Sequence, residues 1–495
     1  MSILNLFSTS YLLPSVAMKI DFGKAIRGLR GMPRRVLLLG HKLAAGTALT
    51  NTVVSVSTEA DALALLGEGS MLLAMWRAAK ANADRALPID FVAVPPSGTA
   101  VAATTTIVLT NSGGTIQAAG EVMLYVEGKR IAVGVSTVDT VATTAAKLIA
   151  ALQADNSLPV TAAATANPNE IKLTAKWGGL TGNDIDVRNV YYTDDVLPQG
   201  LTVTVPAMSA GATSPDLTAA IAALNDYRAT EIACAFTDSA NMALLEAELT
   251  ARWKFDNMQD GSAITVKRGT EAEITTWLAS RNCDQVDTIP VTKDLTSPWV
   301  TASMAGAAME TSAGIDPAQP YTDLPLVGYK GAKRGDGWTN DQANVFLLAG
   351  ASPLKLQADG SATLWRVVTN YTTNTSGAAD PSRRDRCWFK TESFRRWYTV
   401  TEYQLKYVGF KLAEYITEPI PGQKIMTKEL VEEIQIDIYK QLQDVGLYQN
   451  LDYYKASLVI EIDGPNGKVR VQDEPVLVTQ HYQTEVTSYP VAGHV

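Results

Sequence analysis

RVLLLG at 35–40 is a continuous apolar run, the pattern of a strand buried on both faces. EADALALLGEGSMLLAMWRAAKA at 59–81 follows with helical periodicity, broken near Gly67 and Gly69, and FVAV at 91–94 reads as the next strand. This is βαβ patterning, which implies a parallel or mixed sheet. After Pro95-Pro96 the chain turns to Thr, Ala, Val and Gly. EVMLYVEGKRIAVGV reads as a hairpin turning at Glu127-Gly128-Lys129. DTVATTAAKLIAALQAD predicts a helix with its apolar face at Val141, Ala145, Leu148, Ile149 and Leu152. EIKLTAK and LTVTV are strands around a glycine-rich stretch.

From Asp216 the α/β rhythm returns, with strands at EIACAF (231–236), AITVKR (263–268) and QVDTIP (285–290). A proline-rich connector, AGIDPAQPYTDLPLVG, precedes the last third. There TKELVEEIQIDIYKQLQDVG predicts a helix capped by Thr427, striped by Leu430, Ile434, Ile438, Leu442 and Val445, and ended by Gly446. KASLVIEIDGPNGKVRVQD predicts a hairpin turning at 463–467. Both chain ends alternate with a period of two: Val16, Met18, Ile20 and Phe22 at one end, Val476, Val478, Tyr482 and Val486 at the other. Terminal strands need a sheet edge, their own or a neighbour's.

A length of 495 residues predicts two to four domains, since single cores seldom exceed about 250–300 residues. The expected division is an arm at 1–22, an α/β domain from 23–96 and 207–315, a β-rich insert at 97–206, a C-terminal α+β domain at 316–473 and a second arm at 474–495. A net charge of −9 argues against a general nucleic-acid or anionic-membrane binder. Cys234, Cys283 and Cys387 are odd in number and far apart, giving neither a zinc spacing nor a disulfide framework. No apolar run reaches the roughly 18 residues of a membrane helix. The first residues lack a basic n-region, so no signal peptide is expected.

Candidate chemistry is sparse. His41, His481 and His494 have no partners at metal or catalytic spacing, and no nucleophile elbow, P-loop or zincin motif occurs. WGGLTGNDIDV at 177–187 raises a phosphate cradle, a metal loop or a tight corner. A cradle needs a following helix N-terminus, and IDVRNVYY is β-like. A calcium loop needs spaced oxygen ligands, whereas Asn183, Asp184 and Asp186 are bunched. A structural corner is the expectation, with glycines supplying positive φ and Asn or Asp bonding back to the backbone. Arg334-Gly335-Asp336 is read as a chance tripeptide in a glycine turn.

SRRDRCWFKTESFRRW at 382–397 stands out, with six bases against two acids and four interleaved aromatics. It reads as a solvated face with aromatics turned inward, a protein-contact surface, or a platform for single-stranded nucleic acid. The chosen expectation is a protein contact through Arg383, Arg384, Arg386, Arg395 and Arg396. Two classes of function remain besides a structural part. An α/β enzyme with an acidic cleft would show converging acids of shifted pKa. An adhesin would normally carry an export signal.

Several stretches together resemble the contractile-tail sheath proteins of Mu-like bacteriophages. KWGGLTGNDIDVR is similar to that family's G-x-x-G-N-D-[IL] corner, and EADALALLGEGSMLLAM to its early helical segment with G-x-G-S-M-L. DPAQPYTDLPLVG resembles its D-P-A-x-P-x-x-x-L-P-L-x-G connector. NDQANVFLLAGASPLKLQADGSATLWRVVTNYTTNTSGAAD resembles its helix, G-x-x-P turn, hairpin and T-x-Y strand. The likeness spans roughly residues 35 to 462, and the extreme C-terminus departs from the family's usual ending. The resemblance implies an α/β domain with a β-rich insert, a C-terminal α+β sheath polymerisation domain and extended terminal arms. It implies stacked six-fold rings around a tail tube, arms adding strands to neighbouring subunits, and contraction that drives the tube through the host envelope. The implied partners are itself, the tail tube protein, baseplate proteins and tail terminator proteins. The basic segment would meet the tube or a neighbour. No cofactor, metal, membrane insertion, direct nucleic acid or enzymatic activity is expected, and the protein would be a virion component assembled in the host cytoplasm.

Overall fold

The computed structural model describes residues 29–112, 116–333, 335–414 and 422–490. The arm positions Val16, Met18, Ile20 and Phe22, and Arg334 of the tripeptide, lie outside the described residues. The described chain falls into two compact units, 33–396 with 479–490, and 29–32 with 397–478. It is a mixed α/β multidomain architecture.

The apolar runs become the centre of the larger unit. Six strands lie in the order Val286–Val291, Ser262–Arg268, Glu231–Cys234, Val36–Gly40, Ile89–Ala93 and Val53–Val56. All neighbouring pairs are parallel except the last. VLLLG at 36–40 is buried at every position, as a strand covered on both faces must be. Helix Pro298–Ile315 covers one face and packs against helix Met71–Asn82. The long helix comes this close because Gly306 has no side chain. A Cβ there would meet Ile264 Cγ2 at 3.2 Å and Glu231 Cγ at 3.3 Å.

The chain between Ala93 and Glu231 builds two antiparallel sheets. Leu201–Thr204, Ala102–Asn111, Glu170–Gly178 and Val160–Ala164 form one; Lys129–Val135, Gly120–Val126 and Val187–Arg188 form the other. Strand Ala102–Asn111 alternates between buried and partly exposed side chains, so one face is core and the other wetter. Helix Val141–Ala154 starts in a capping box between Thr140 and Thr143 and buries Ala145, Leu148 and Leu152. The hairpin turns at Glu127 (φ 49°) and Gly128 (φ 73°), two left-handed residues in the manner of a type I′ turn.

In the smaller unit, helix Lys428–Asp444 is capped by Thr427 and followed by Gly446 at φ 81°. Its buried face is Val431, Ile434, Gln435, Ile438, Tyr439 and Leu442. Leu430 is only half-buried and Val445 is exposed, so the stripe is rotated from the expected one. Tyrosine sets the phase. Tyr439 stacks on Tyr454 at 3.7 Å and donates its hydroxyl to the Gln449 carbonyl at 2.6 Å. The hairpin pairs Val459–Asp463 with Lys468–Gln472.

The expected terminal strand is much shorter. Among the described residues from 474 on, only Val476–Leu477 is a strand, paired with Tyr448–Gln449. Its partner ends there because Asn450, at φ 61°, caps helix Leu451–Ser457 and turns the chain away. Residues 478–490 have no regular structure.

Candidate functional site: the basic helix and the chain end

Most of the basic segment lies in helix Arg386–Lys406. Arg386 is fully buried and forks onto Asp287, with Nε to Oδ2 at 2.7 Å and Nη2 to Oδ1 at 2.8 Å. Its Nη1 donates to the Asp284 carbonyl at 3.0 Å. One turn on, Lys390 Nζ donates to the Thr230 carbonyl and to Glu231 Oε2, both at 2.8 Å, and to Glu310. Ser262 Oγ donates to Glu231 at 2.6 Å, and Thr230 Oγ1 to Glu310 at 2.8 Å. Burial pushes the Glu231 carboxyl up, against the pull of Lys390. Burial also opposes the Lys390 charge, but Glu231 and Glu310 outweigh it and raise its pKa.

The rest of the segment is also engaged. Arg396 donates to the Trp253 carbonyl at 2.7 Å and to Asp260 at 2.8 Å, lying 4.1 Å over the Trp253 ring. Phe389 stacks on the same ring at 4.5 Å. Arg395 pairs with Glu392 at 3.4 Å. Arg383, with 60% of its side chain exposed, pairs with Asp284 at 2.8 Å. Arg384 accepts from the Thr369 amide through its carbonyl at 2.8 Å. The expectation for Arg386 is therefore corrected: a guanidinium sealed against Asp287 cannot meet a tube or a neighbour. The partner acids were missed. Their sequence signal was a charged residue inside an apolar strand, Glu231 in EIACAF and Asp287 in QVDTIP.

The glycine stretch is a corner between strands Glu170–Gly178 and Val187–Arg188, made by the 3₁₀ turn Leu180–Asp184. Only Gly179 has positive φ, 126°; Gly178 and Gly182 serve close approach instead. A Cβ on Gly182 would sit 3.0 Å from Ala103 Cβ and 3.2 Å from Ala175 Cβ. Asn183 does not bond back locally. It pairs with both backbone groups of Gly211, at 2.8 and 3.0 Å. Arg268 donates to the Asp184 carbonyl and, at 2.8 Å, to that of Asp294. Asp186 is taken by Arg188. Among the described residues no group of three metal-capable side chains occurs.

In a parallel sheet the place to look for a ligand is the crevice where the strand order reverses. Here it is flanked by the ends of Val36–Gly40, Ile89–Ala93 and Glu231–Cys234. His41 is buried with Nδ1 2.8 Å from the Val94 carbonyl and its ring edge on Phe236. Burial lowers its pKa to about 4. A shallow 400 Å³ pocket nearby is lined by Pro95, Pro96, Asp216, Asp238 and Asn241. Asp238 caps helix Ser239–Trp253, Asp216 accepts from Thr218, and Asn241 holds Leu217 and Pro215. These polar groups are used in holding loops.

The chain end is seated by side chains. Val476 lies in the short strand, and the Val478 amide donates to the Leu447 carbonyl at 3.2 Å. The Trp388 indole donates to Gln480 Oε1 at 2.5 Å, and Gln480 Nε2 donates to the Ala318 carbonyl at 3.1 Å. Tyr482 donates to Asp385 Oδ1 at 3.0 Å, under the Arg366 guanidinium at 3.9 Å. Arg366 itself forks onto Asp385 at 3.0 Å twice. Val486 and Tyr489 are 82% and 85% exposed.

Comparison with known proteins supplies what the geometry alone does not name. A family model described as the phage tail sheath protein central domain matches residues 210–370. The Mu-like prophage FluMu tail sheath protein of Haemophilus influenzae is 32% identical over 474 residues, covering 94% of this chain and 95% of that one. Solved sheath tail proteins from Desulfitobacterium hafniense and Listeria innocua share 12% and 13% identity, each with a TM-score of 0.48. The first alignment covers 95% of this chain and 97% of its match, the second 91% and 92%. Similarity at 32% identity runs the length of both chains, and on that ground the chain belongs to the contractile-tail sheath proteins of Mu-like phages.

Proposed function

We propose that the protein polymerises as stacked hexameric rings around a tail tube and contracts to drive that tube through a host envelope. The observation that carries this reading is the end-to-end relation to the FluMu tail sheath protein. The chemistry is compatible with it, because energy stored in subunit interfaces needs no nucleotide site. Contraction would exchange one set of inter-subunit contacts for a better one. The protein would act without catalysis or cofactor. Its partners would be further copies, the tube, the baseplate and the terminator, and it would assemble in the host cytoplasm.

In this reading 23–96 and 207–315 form the body that carries 97–206 as an insert. Residues 316–473 form the polymerising part, whose core would be 397–473. Residues 1–22 and 474–495 are arms, with Val16, Met18, Ile20, Phe22, Val476, Val478, Tyr482 and Val486 turned to neighbours. Arg383, Arg384, Arg395 and Arg396 stay as candidates for a tube or neighbour contact, without Arg386. The test is deletion of residues 1–15. The truncated chain should stay soluble and melt cooperatively while failing to form long tubes, since arm pairing is multivalent along a lattice. Full-length tubes from it would defeat the arm model.

A further inference from the structure

A cavity of about 740 Å³ opens between residues 191–193, at the end of the β-rich insert, the start of helix Asn340–Leu348, and the hairpin of Leu354–Leu356 with Ala362–Leu364. That volume is typical of small-ligand sites. Four aromatic rings line it: Tyr191, Tyr192, Trp338 and Trp365. Three of them are fixed from behind. The Trp338 indole donates to the Pro290 carbonyl at 3.0 Å and meets Phe346 edge to face at 4.8 Å. The Tyr191 hydroxyl donates to the Gly331 carbonyl at 3.1 Å, and Tyr192 stands steeply against Tyr191 at 4.8 Å and Tyr125 at 6.0 Å. Tyr192 is nonetheless 51% exposed, and Trp365 is half-buried. Gly360, at φ 84°, lets the hairpin turn close in as a wall, since a Cβ there would lie 2.9 Å from the Tyr191 hydroxyl. The polar groups here differ from those near His41, which hold loops. Among the described residues, the carboxamides of Asn340 and Gln357 and the Lys333 ammonium have no side-chain partner.

We propose that this cavity binds a neutral saccharide, with a pyranose ring against Tyr192 and Trp365 and its hydroxyls met by Asn340 and Gln357. A pyranose has a face of C–H bonds and a rim of hydroxyls. The C–H face suits the negative face of an aromatic ring. Each hydroxyl both donates and accepts, and so does each carboxamide. Charge selects a neutral ligand. Lys333 and Asp359 line the cavity with opposite signs, and the other lysine there, Lys355, is paired with Asp323 at 3.2 Å. A phosphate or sulfate therefore meets no cationic cluster. Asp359 is built into the wall, accepting the Ser361 amide and hydroxyl at 3.0 and 2.6 Å through one oxygen. A polyproline segment also takes aromatic surfaces, but it has no backbone N–H and would leave the Asn340 and Gln357 amide oxygens unmet. Saccharide binding is a property of the single chain and goes beyond the sheath reading.

The test is a glycan array probed with fluorescently labelled full-length protein, with decaproline printed beside neutral, sialylated and sulfated glycans. Capture by neutral pyranose glycans is expected. In calorimetric titration with a captured glycan, Tyr192→Ala and Trp365→Ala should each weaken binding about tenfold, the loss of one aromatic contact. Because Trp365 also packs, Asn340→Ala with Gln357→Ala, both exposed, gives an independent variant whose melt should stay unchanged while its binding weakens. Capture by no glycan, by sialylated or sulfated glycans alone, or by decaproline alone would overturn the proposal. So would neutral capture that is undiminished in Tyr192→Ala and in the double variant. Each of these results leaves the sheath reading standing.

Discussion

Lys390 carries the largest single-residue consequence. Its side chain is 4% exposed and its ammonium faces two buried carboxylates, Glu231 and Glu310. Removing one member of such a set leaves the others charged and unpaired, which costs about 3–5 kcal/mol. Lys390→Met should therefore lower the urea midpoint sharply. Adding Glu231→Gln and Glu310→Gln to it should recover much of the loss, because the uncompensated charge is then gone. No recovery would mean that packing rather than charge holds the site. Two other buried groups give opposite pH dependences. His41 is held neutral by burial, with a pKa near 4 against an ordinary 6.5. The unfolded chain takes up this proton first, so stability falls as pH drops from about 6.5 to 4, by about 1.4 kcal/mol per unit. Glu127 is desolvated beside Ser297, which raises its pKa to about 7 from an ordinary 4.5. The folded chain binds that proton first, so its contribution falls as pH rises from 4.5 to 7. Denaturant melts across pH 4–7 should show the acid-side loss shrinking in His41→Gln and the neutral-side loss shrinking in Glu127→Gln.

At the scale of elements, legibility followed burial pattern. The strand at 36–40 was readable because a strand covered on both faces is apolar throughout, and 231–234 was readable from its apolar residues despite Glu231. The phase of helix Lys428–Asp444 was not, because its core includes Gln435 and Tyr439, which an aliphatic stripe passes over. The basic segment misled for a related reason. Charge density reads as surface until the acids that absorb it are known, and those acids lie 80 to 159 residues away in sequence. Arg383 and Arg386 separate the two roles. Arg386→Glu should prevent folding, whereas Arg383→Glu should change stability by under about 1 kcal/mol, as exposed pairs do. If Arg383 meets the tube, its variant should also co-sediment less with tube protein; unchanged co-sedimentation would remove it as a contact. The glycine corner was legible as a corner, but its reason was different. Gly182→Val should destabilise the fold by crowding Ala103 and Ala175, and calcium or magnesium should leave the melting temperature unchanged. Metal-dependent stabilisation lost in Asp184→Ala with Asp186→Ala would contradict this.

At the scale of the whole molecule, the sequence order of the glycine corner, the early helix and the proline connector carried the family, and the end-to-end relative agrees. What periodicity could not carry was the fate of the chain end. Alternation at 476–486 looks the same whether the segment pairs as a strand or is pinned by two side chains, and the structure has it pinned. The most direct measurement is negative-stain electron microscopy of the purified full-length protein over a range of concentrations. The sheath account predicts rings and tubes of constant diameter and variable length, built with six-fold symmetry and appearing above a threshold concentration. A single closed oligomer of fixed size at every concentration, with no rings or tubes, would contradict it.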